Sequence, residues 1–177
     1  TAVSVGTVTL TATSAGDTNY NAATTSQLIT IGKTTPVLTI ISANVLNVDG
    51  TLATALTTTA TFGRGGPIVY AIVAGSGSAT VDASGIITGV SVGTVTLTTT
   101  STGDTNYYAA TASQLITINK TTPVLTITSA NTINVDGTLT ATVTTTATYG
   151  RGGAFIYALV AGSGSATVNA NTGLIKG

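Results

Sequence analysis

From residue 7 to residue 13 the chain alternates without a break: Thr7, Val8, Thr9, Leu10, Thr11, Ala12, Thr13. A strand turns successive side chains to opposite faces, so Val8, Leu10 and Ala12 are expected to face inward and the threonines outward. Residues 27–31 carry the next strand, and Gly16 to Tyr20 turn the chain between the two. A third strand is predicted over 37–41. Asp49-Gly50 follows, a tight-turn dipeptide between apolar runs. Residues 52–62 read as a further extended stretch, closed by a turn at Gly63-Arg64-Gly65-Gly66. The continuous apolar run over 68–73 suits a central strand. Residues 79–81 and 86–88 are short strands around Asp82-Ala83-Ser84-Gly85. Helical periodicity is found nowhere.

The pattern then repeats. Ser4-Val5-Gly6-Thr7-Val8-Thr9-Leu10 recurs about 87 residues later from Ser91 to Leu97. Gly16-Asp17-Thr18-Asn19-Tyr20 recurs from Gly103 to Tyr107, and Lys33-Thr34-Thr35-Pro36 from Lys120 to Pro123. Gly63 to Gly66 recurs from Gly150 to Gly153, and Gly75 to Val81 from Gly162 to Val168. Solenoid units run to roughly 20–50 residues, whereas one immunoglobulin-like sandwich takes roughly 100. Each repeat is therefore expected to be a self-contained domain of about seven strands. The fold class expected is all-β, with tandem immunoglobulin-like sandwiches and no helices.

Lys33, Thr34, Thr35 and Pro36, with Lys120, Thr121, Thr122 and Pro123, read as structural linkers, since Pro has no ladder donor and fits the start of a strand. On that frame residues 34–120 form one complete domain. Residues 1–33 are the C-terminal part of another, and residues 121–177 the N-terminal part of a third. The two partial domains are complementary. Two readings stay open: a window from a long tandem array, or subunits in which residues 1–33 complete residues 121–177 of another subunit by strand donation. The chain has no starting Met and reads as a mature product or a fragment.

Composition narrows the function classes. Thr supplies about a quarter of the chain, 42% of residues are hydrophobic, and only 6% are charged, against about 25% in an ordinary soluble domain. The net charge is zero. Nucleic acid is an unsuitable partner, because no basic surplus exists to neutralise phosphates. No apolar run approaches the roughly 18 residues of a membrane span. Without cysteine there is no disulfide framework. A surface with so little charge favours self-association.

At this point the residues carry a likeness. Ser78-Ala79-Thr80-Val81-Asp82-Ala83-Ser84-Gly85-Ile86-Ile87-Thr88-Gly89, followed by Gly93-Thr94-Val95-Thr96-Leu97-Thr98, resembles the core signature of tandem bacterial Ig-like repeats found in large surface proteins and adhesins. The likeness implies an extracellular or cell-surface location in a prokaryote and a spacer or adhesive stalk. It brings no catalytic residue. The second copy departs from the first at Asn169-Ala170-Asn171-Thr172-Gly173, one residue longer.

The candidate chemistry is sparse. The chain has no His, Cys or Glu, and its acids are Asp17, Asp49, Asp82, Asp104 and Asp136. Acid–base catalysis wants a group tuned toward neutrality, and calcium wants six to eight oxygens. Scattered single aspartates serve turns instead, so no enzyme activity, cofactor or metal is expected. Gly75-Ser76-Gly77-Ser78 lacks the Lys of a phosphate loop, and one Gly-Arg-Gly-Gly per repeat reads as a turn rather than an RNA-binding motif. Gly16, Asp17, Asn19 and Tyr20, with Gly103, Asp104, Asn106 and Tyr107, are structural turn residues, the tyrosines packed beside the turn with the hydroxyl on backbone, as in a tyrosine corner. Lys33 and Lys120 raise an isopeptide cross-link to Asn, but they stand in linkers. Asn119-Lys120-Thr121 is a glycosylation sequon in one copy only. The Thr-x-Thr rows resemble ice-binding arrays, though sandwich sheets twist. The expected function is a structural unit of an extracellular filament or stalk whose partners are copies of itself. The alternative is an adhesin module that binds a glycan or another surface through a Thr-rich face.

Overall fold

The computed structural model describes residues 2–63, 65–150 and 153–177. Every regular element among them is a strand. β1 (Gly6–Ser14) and β2 (Ala23–Ile31) form an antiparallel hairpin, in register from Gly6 opposite Ile31 to Ser14 opposite Ala23. Residues 34–120 follow with β3 (Leu38–Ile40), β4 (Val45–Asn47), β5 (Thr51–Ala53), β6 (Leu56–Thr58), β7 (Ile68–Ala74), β8 (Ser78–Val81), β9 (Ile86–Ser91), β10 (Gly93–Ser101) and β11 (Ala110–Asn119). Residues 121–177 hold β12 (Leu125–Ile127), β13 (Thr138–Thr140), β14 (Val143–Thr145), β15 (Thr167–Val168) and β16 (Leu174–Lys176).

In residues 34–120 a four-stranded sheet runs in the order β4-β11-β10-β7, with β4 parallel to β11 and the other pairs antiparallel. A three-stranded sheet runs β5-β9-β8, and β3 pairs with β6. The core lies between these sheets. Ile87 of β9, Val95 and Leu97 of β10 and Ile116 of β11 are fully buried, with Ile118 and Leu46 beside them. Each such side chain contributes on the order of 1.5–3 kcal/mol by leaving water. The period-two pattern carries through β10, where Val95, Leu97, Thr99 and Ser101 point inward. Two of these are polar, and both find a partner. The Thr99 hydroxyl donates to the Ala112 carbonyl at 3.3 Å, and the Ser101 hydroxyl donates to the Gly65 carbonyl. A buried hydroxyl left without a partner would cost about 1–3 kcal/mol.

Several expectations need correcting. The stretch over 52–62 is two strands rather than one. Thr51–Ala53 joins β9 and Leu56–Thr58 joins β3, so the chain changes sheet between them. Residues 45–47 add a short parallel strand that alternation did not reveal. Residues 34–120 therefore carry nine strands rather than about seven. The apolar run over 68–73 is an edge strand, not a central one: β7 pairs only with β10, and Val69 and Val73 are exposed. Asp49-Gly50 does turn the chain, with Asp49 at φ 64° and the Gly50 amide donating to the Asn47 carbonyl at 2.9 Å. Asp tolerates this left-handed backbone better than most residues. Asp136 repeats the conformation at φ 60°.

The two flanking stretches are open. Val8, Leu10 and Ala12, expected to face a core, are exposed, as is every residue of β1. In residues 121–177 β12 pairs with β14, and β13-β16-β15 form a small sheet. Residues 155–161, the counterpart of β7, belong to no strand. The turn expected at 63–66 and its copy at 150–153 include Arg64, Arg151 and Gly152, which lie outside the described residues.

Candidate assembly site

The Gly-Asp-Thr-Asn-Tyr turn is built the same way in both copies. Asp17 Oδ1 accepts from the Asn19 and Tyr20 amides at 2.8 and 2.9 Å, and Asp104 Oδ1 accepts from Asn106 and Tyr107 at the same two distances. A short acceptor bonding backbone two and three residues on is why Asp holds such turns. Gly16 and Gly103 precede it at φ 75° and 81°. A side chain at residue 103 would stand 2.9 Å from the Ala109 amide nitrogen, so the position needs glycine twice over.

The tyrosines differ. Tyr107 is 7% exposed, and its hydroxyl accepts from the Phe62 amide at 3.1 Å. Tyr20 is 76% exposed. The first ties its turn to the end of the facing layer; the second reaches into solvent.

The linker Lys33 to Pro36 is strapped to this same turn. Thr34 bridges Tyr107 in parallel, its amide donating to the Asn106 carbonyl at 3.4 Å and its carbonyl accepting from the Tyr108 amide at 3.0 Å. Lys33 Nζ donates to the Asp104 carbonyl at 2.6 Å and lies 5.8 Å from the Tyr108 ring centre, within cation–π range. Asn106 Oδ1 accepts from the Val5 amide at 3.0 Å. Pro36 is buried, and Thr35 is exposed. Thus Asp104, Asn106 and Tyr107 join the linker and the preceding hairpin in one cluster. Asp17, Asn19 and Tyr20 stand apart from it at the hairpin's far end.

The second linker is less enclosed. Lys120, Thr121 and Thr122 are exposed, and Pro123 is half-buried. Across it, Asp49 Oδ2 accepts from the Thr148 amide at 3.2 Å. The Asp49-Gly50 turn gives no sign of this reach in the sequence, because the contact joins residues 99 apart. Val5 belongs to the recurring Ser4–Leu10 stretch, yet neither it nor Phe62 or Tyr108 carried a signal of these contacts. Only their nearness to repeated motifs could have drawn attention to them.

The grooves of the surface follow the open faces. A groove of about 510 Å³ is lined by residues 2–8 with Ile29 and Ile31, the inward side of the first hairpin. Two more, of about 260 and 340 Å³, lie along Phe155 and Tyr157 and along Leu159 to Ala161. None of these three is lined by an ionisable acid or amine. Among the described residues no three acids gather as metal ligands, and no helix is long and apolar enough to cross a membrane.

No protein-family model matches the chain, and no curated protein sequence matches it. The fold and its surfaces define an all-β protein with a sandwich-like layered core and repeated units in unequal states of closure.

Proposed function

We propose that the chain is a structural repeat segment of an extracellular filament or cell-surface stalk, built from immunoglobulin-like sandwiches that follow one another end to end. The observation that carries this reading is the state of the repeated unit. One copy, residues 34–120, has its core closed by the β10–β11 hairpin, while the stretches on either side expose complementary parts of the same core. Copies of one unit that recur along a single chain are suited to a row of units, joined as a continuous tandem chain or by strand donation.

The junction supports a mechanical role. The linker is bonded to the Asp104–Tyr108 turn rather than hanging free, and Val5 and Lys33 reach across to it. Such contacts resist bending between successive units. The likeness to tandem bacterial Ig-like repeats points the same way and suggests the prokaryotic cell surface. The reading assigns no catalytic residue and no cofactor.

Electron cryo-microscopy of the native material tests it. The expected result is a rod with an axial repeat of one or two unit lengths; dispersed single particles would overturn it.

A second reading, adhesion to a glycan, draws on the outer face of β10–β11. There Thr98 meets Ser113 at 3.2 Å and Thr100 meets Thr111 at 3.3 Å, a row of hydroxyls. These hydroxyls already bond one another, which weakens their claim to a ligand. Glycan binding by the full chain that is lost in a Thr98→Val, Thr100→Val variant would favour this reading over the first.

A further inference from the structure

We infer that the outer face of the β7–β10–β11 sheet packs against the same face of a second copy of this chain, side by side and with strands parallel. This rests on the end-to-end reading above and adds a lateral contact to it.

The face belongs to the unit whose core is closed, and neither joint reaches it. The preceding linker is bonded at the Asp104–Tyr108 turn, before β11 begins. Asp49, whose neighbour Val48 donates to the Asn119 carbonyl at 2.9 Å, meets Thr148 where β11 ends. Between these ends three strands stand abreast. Val73 pairs with Thr96 and Thr96 with Leu115; Val69 pairs with Thr100 and Thr100 with Thr111. Val69, Val73 and Leu115 are 53%, 62% and 59% exposed.

Charge is kept off this face. Among the described residues of 34–120 the charged ones are Asp49, Asp82, Asp104 and Lys120, and each stands in a turn or at the linker rather than on a strand. Soluble surfaces ordinarily intersperse Lys and Glu, which hold copies apart. A face without charge gives a charged partner no handle, while a second copy meets it without repulsion. Its hydroxyls are also ready to be covered. Thr98 and Ser113 bond each other at 3.2 Å, and Thr100 and Thr111 at 3.3 Å. A covered hydroxyl that keeps its partner escapes the penalty of burying an unpaired one.

Area decides the partner. Three strands about 4.8 Å apart, each rising about 3.3 Å per residue over the length of β7, give roughly 300 Å² of face. A stable interface takes about 800 Å² from each side. One unit falls short, and a row of units suffices. The face does recur: the eight outward positions of β10–β11, every second residue of 94–100 and of 111–117, are identical at 7–13 and 24–30. A partner with the same spacing engages every face at once, and a second copy of the chain has that spacing.

The side chains set the direction. A two-fold axis along β10 lays Leu115 of one copy over Val73 of the other, twice, with Thr98 near the axis and opposite itself. The antiparallel alternative lays Leu115 over Thr111, an apolar group on a polar one. The parallel contact is isologous, so it closes on a pair of rods.

The absence of native cysteine makes the test clean. The probe is a short bismaleimide that spans about 10 Å, the spacing of packed sheets, and it captures a contact too weak to isolate. In the full chain, Thr98→Cys should cross-link to a dimer well above Thr80→Cys, which stands exposed on the opposite sheet. An L115C chain mixed with a V73C chain should cross-link above L115C mixed with T111C. Adding Val73→Lys to the T98C chain should bring its yield down to that of T80C, with the urea midpoint unchanged. A T98C yield no higher than T80C, indifference to Val73→Lys, or preference for the T111C partner would overturn the inference. Glycan capture lost in Thr98→Val, without T98C dimers, would also overturn it and hand the face to the adhesion reading. If native rods are seen and stay single, the stalk reading stands and only the lateral contact falls; T98C dimers without any rods would remove the stalk reading and keep the contact.

Discussion

The hairpins β1–β2 and β10–β11 differ at few positions and pair in the same register, yet one is exposed along its length and the other holds the centre of the core. Leu10 and Leu97 occupy the same place in the alternation, at 58% and 0% exposure. Local sequence therefore decides the pairing within a hairpin, because alternation and the Asp-centred turn are internal to it. Burial is decided by what lies opposite. Leu97 has β7 alongside and β9 across the core, and Leu10 has neither. A two-stranded hairpin alone is marginally stable in water at best, so the first copy is the part of the chain with most to gain from a partner.

Matched substitutions sharpen that contrast. Leu97→Ala should cost about 2–5 kcal/mol of unfolding free energy, while Leu10→Ala in dilute solution should change it by less than about 0.5 kcal/mol; urea denaturation of both variants measures the gap. Equal losses would mean that the hairpins are equally packed. The turns come next. Gly103→Ala forces an L-residue to a φ of 81° against the Ala109 amide, at a cost of roughly 1–2 kcal/mol; Gly16, at φ 75° with backbone atoms 2.7 Å from where a side chain would start, meets the same strain, so Gly16→Ala should open its own turn while the thermal midpoint of residues 34–120 stays unchanged. Tyr107→Phe removes the acceptor of the Phe62 amide and should cost about 1 kcal/mol. Tyr20→Phe should leave the midpoint unchanged. The smallest effect belongs to the junction. Asn106→Ala frees the Val5 amide, so hydrogen exchange there should speed up a few-fold while the core amides of β10 and β11 keep their protection.

Much of the all-β architecture was legible in the residues. Strict alternation marked β1 and β10, the 87-residue recurrence marked the repeated unit, and Asp-Gly marked a turn taken up at Asp49 and Asp136. The failures have physical causes. Residues 52–62 read as one extended run because Thr and Ala suit either face, and nothing local says where a chain crosses between sheets. Residues 68–73 looked central because all six are apolar, yet β7 is an edge strand with Val69 and Val73 outward. Apolarity does not reveal how many neighbours a strand has. In the site, the aspartate turn was readable because each bond spans two or three residues. The reach of Val5 to Asn106 and of Asp49 to Thr148 was not, since those bonds span 101 and 99 residues.

By itself the sequence determined the strand period, the hairpin register and the turn chemistry, all set by interactions between residues near one another along the chain. Only the tertiary structure decided which of the copies is closed, that Tyr107 is locked while Tyr20 is free of the core, and that the linker is strapped to a turn some 70 residues away. The physical reason is that burial belongs to pairs of surfaces. A side chain with the same neighbours in sequence is core or surface according to whether a second sheet stands across from it.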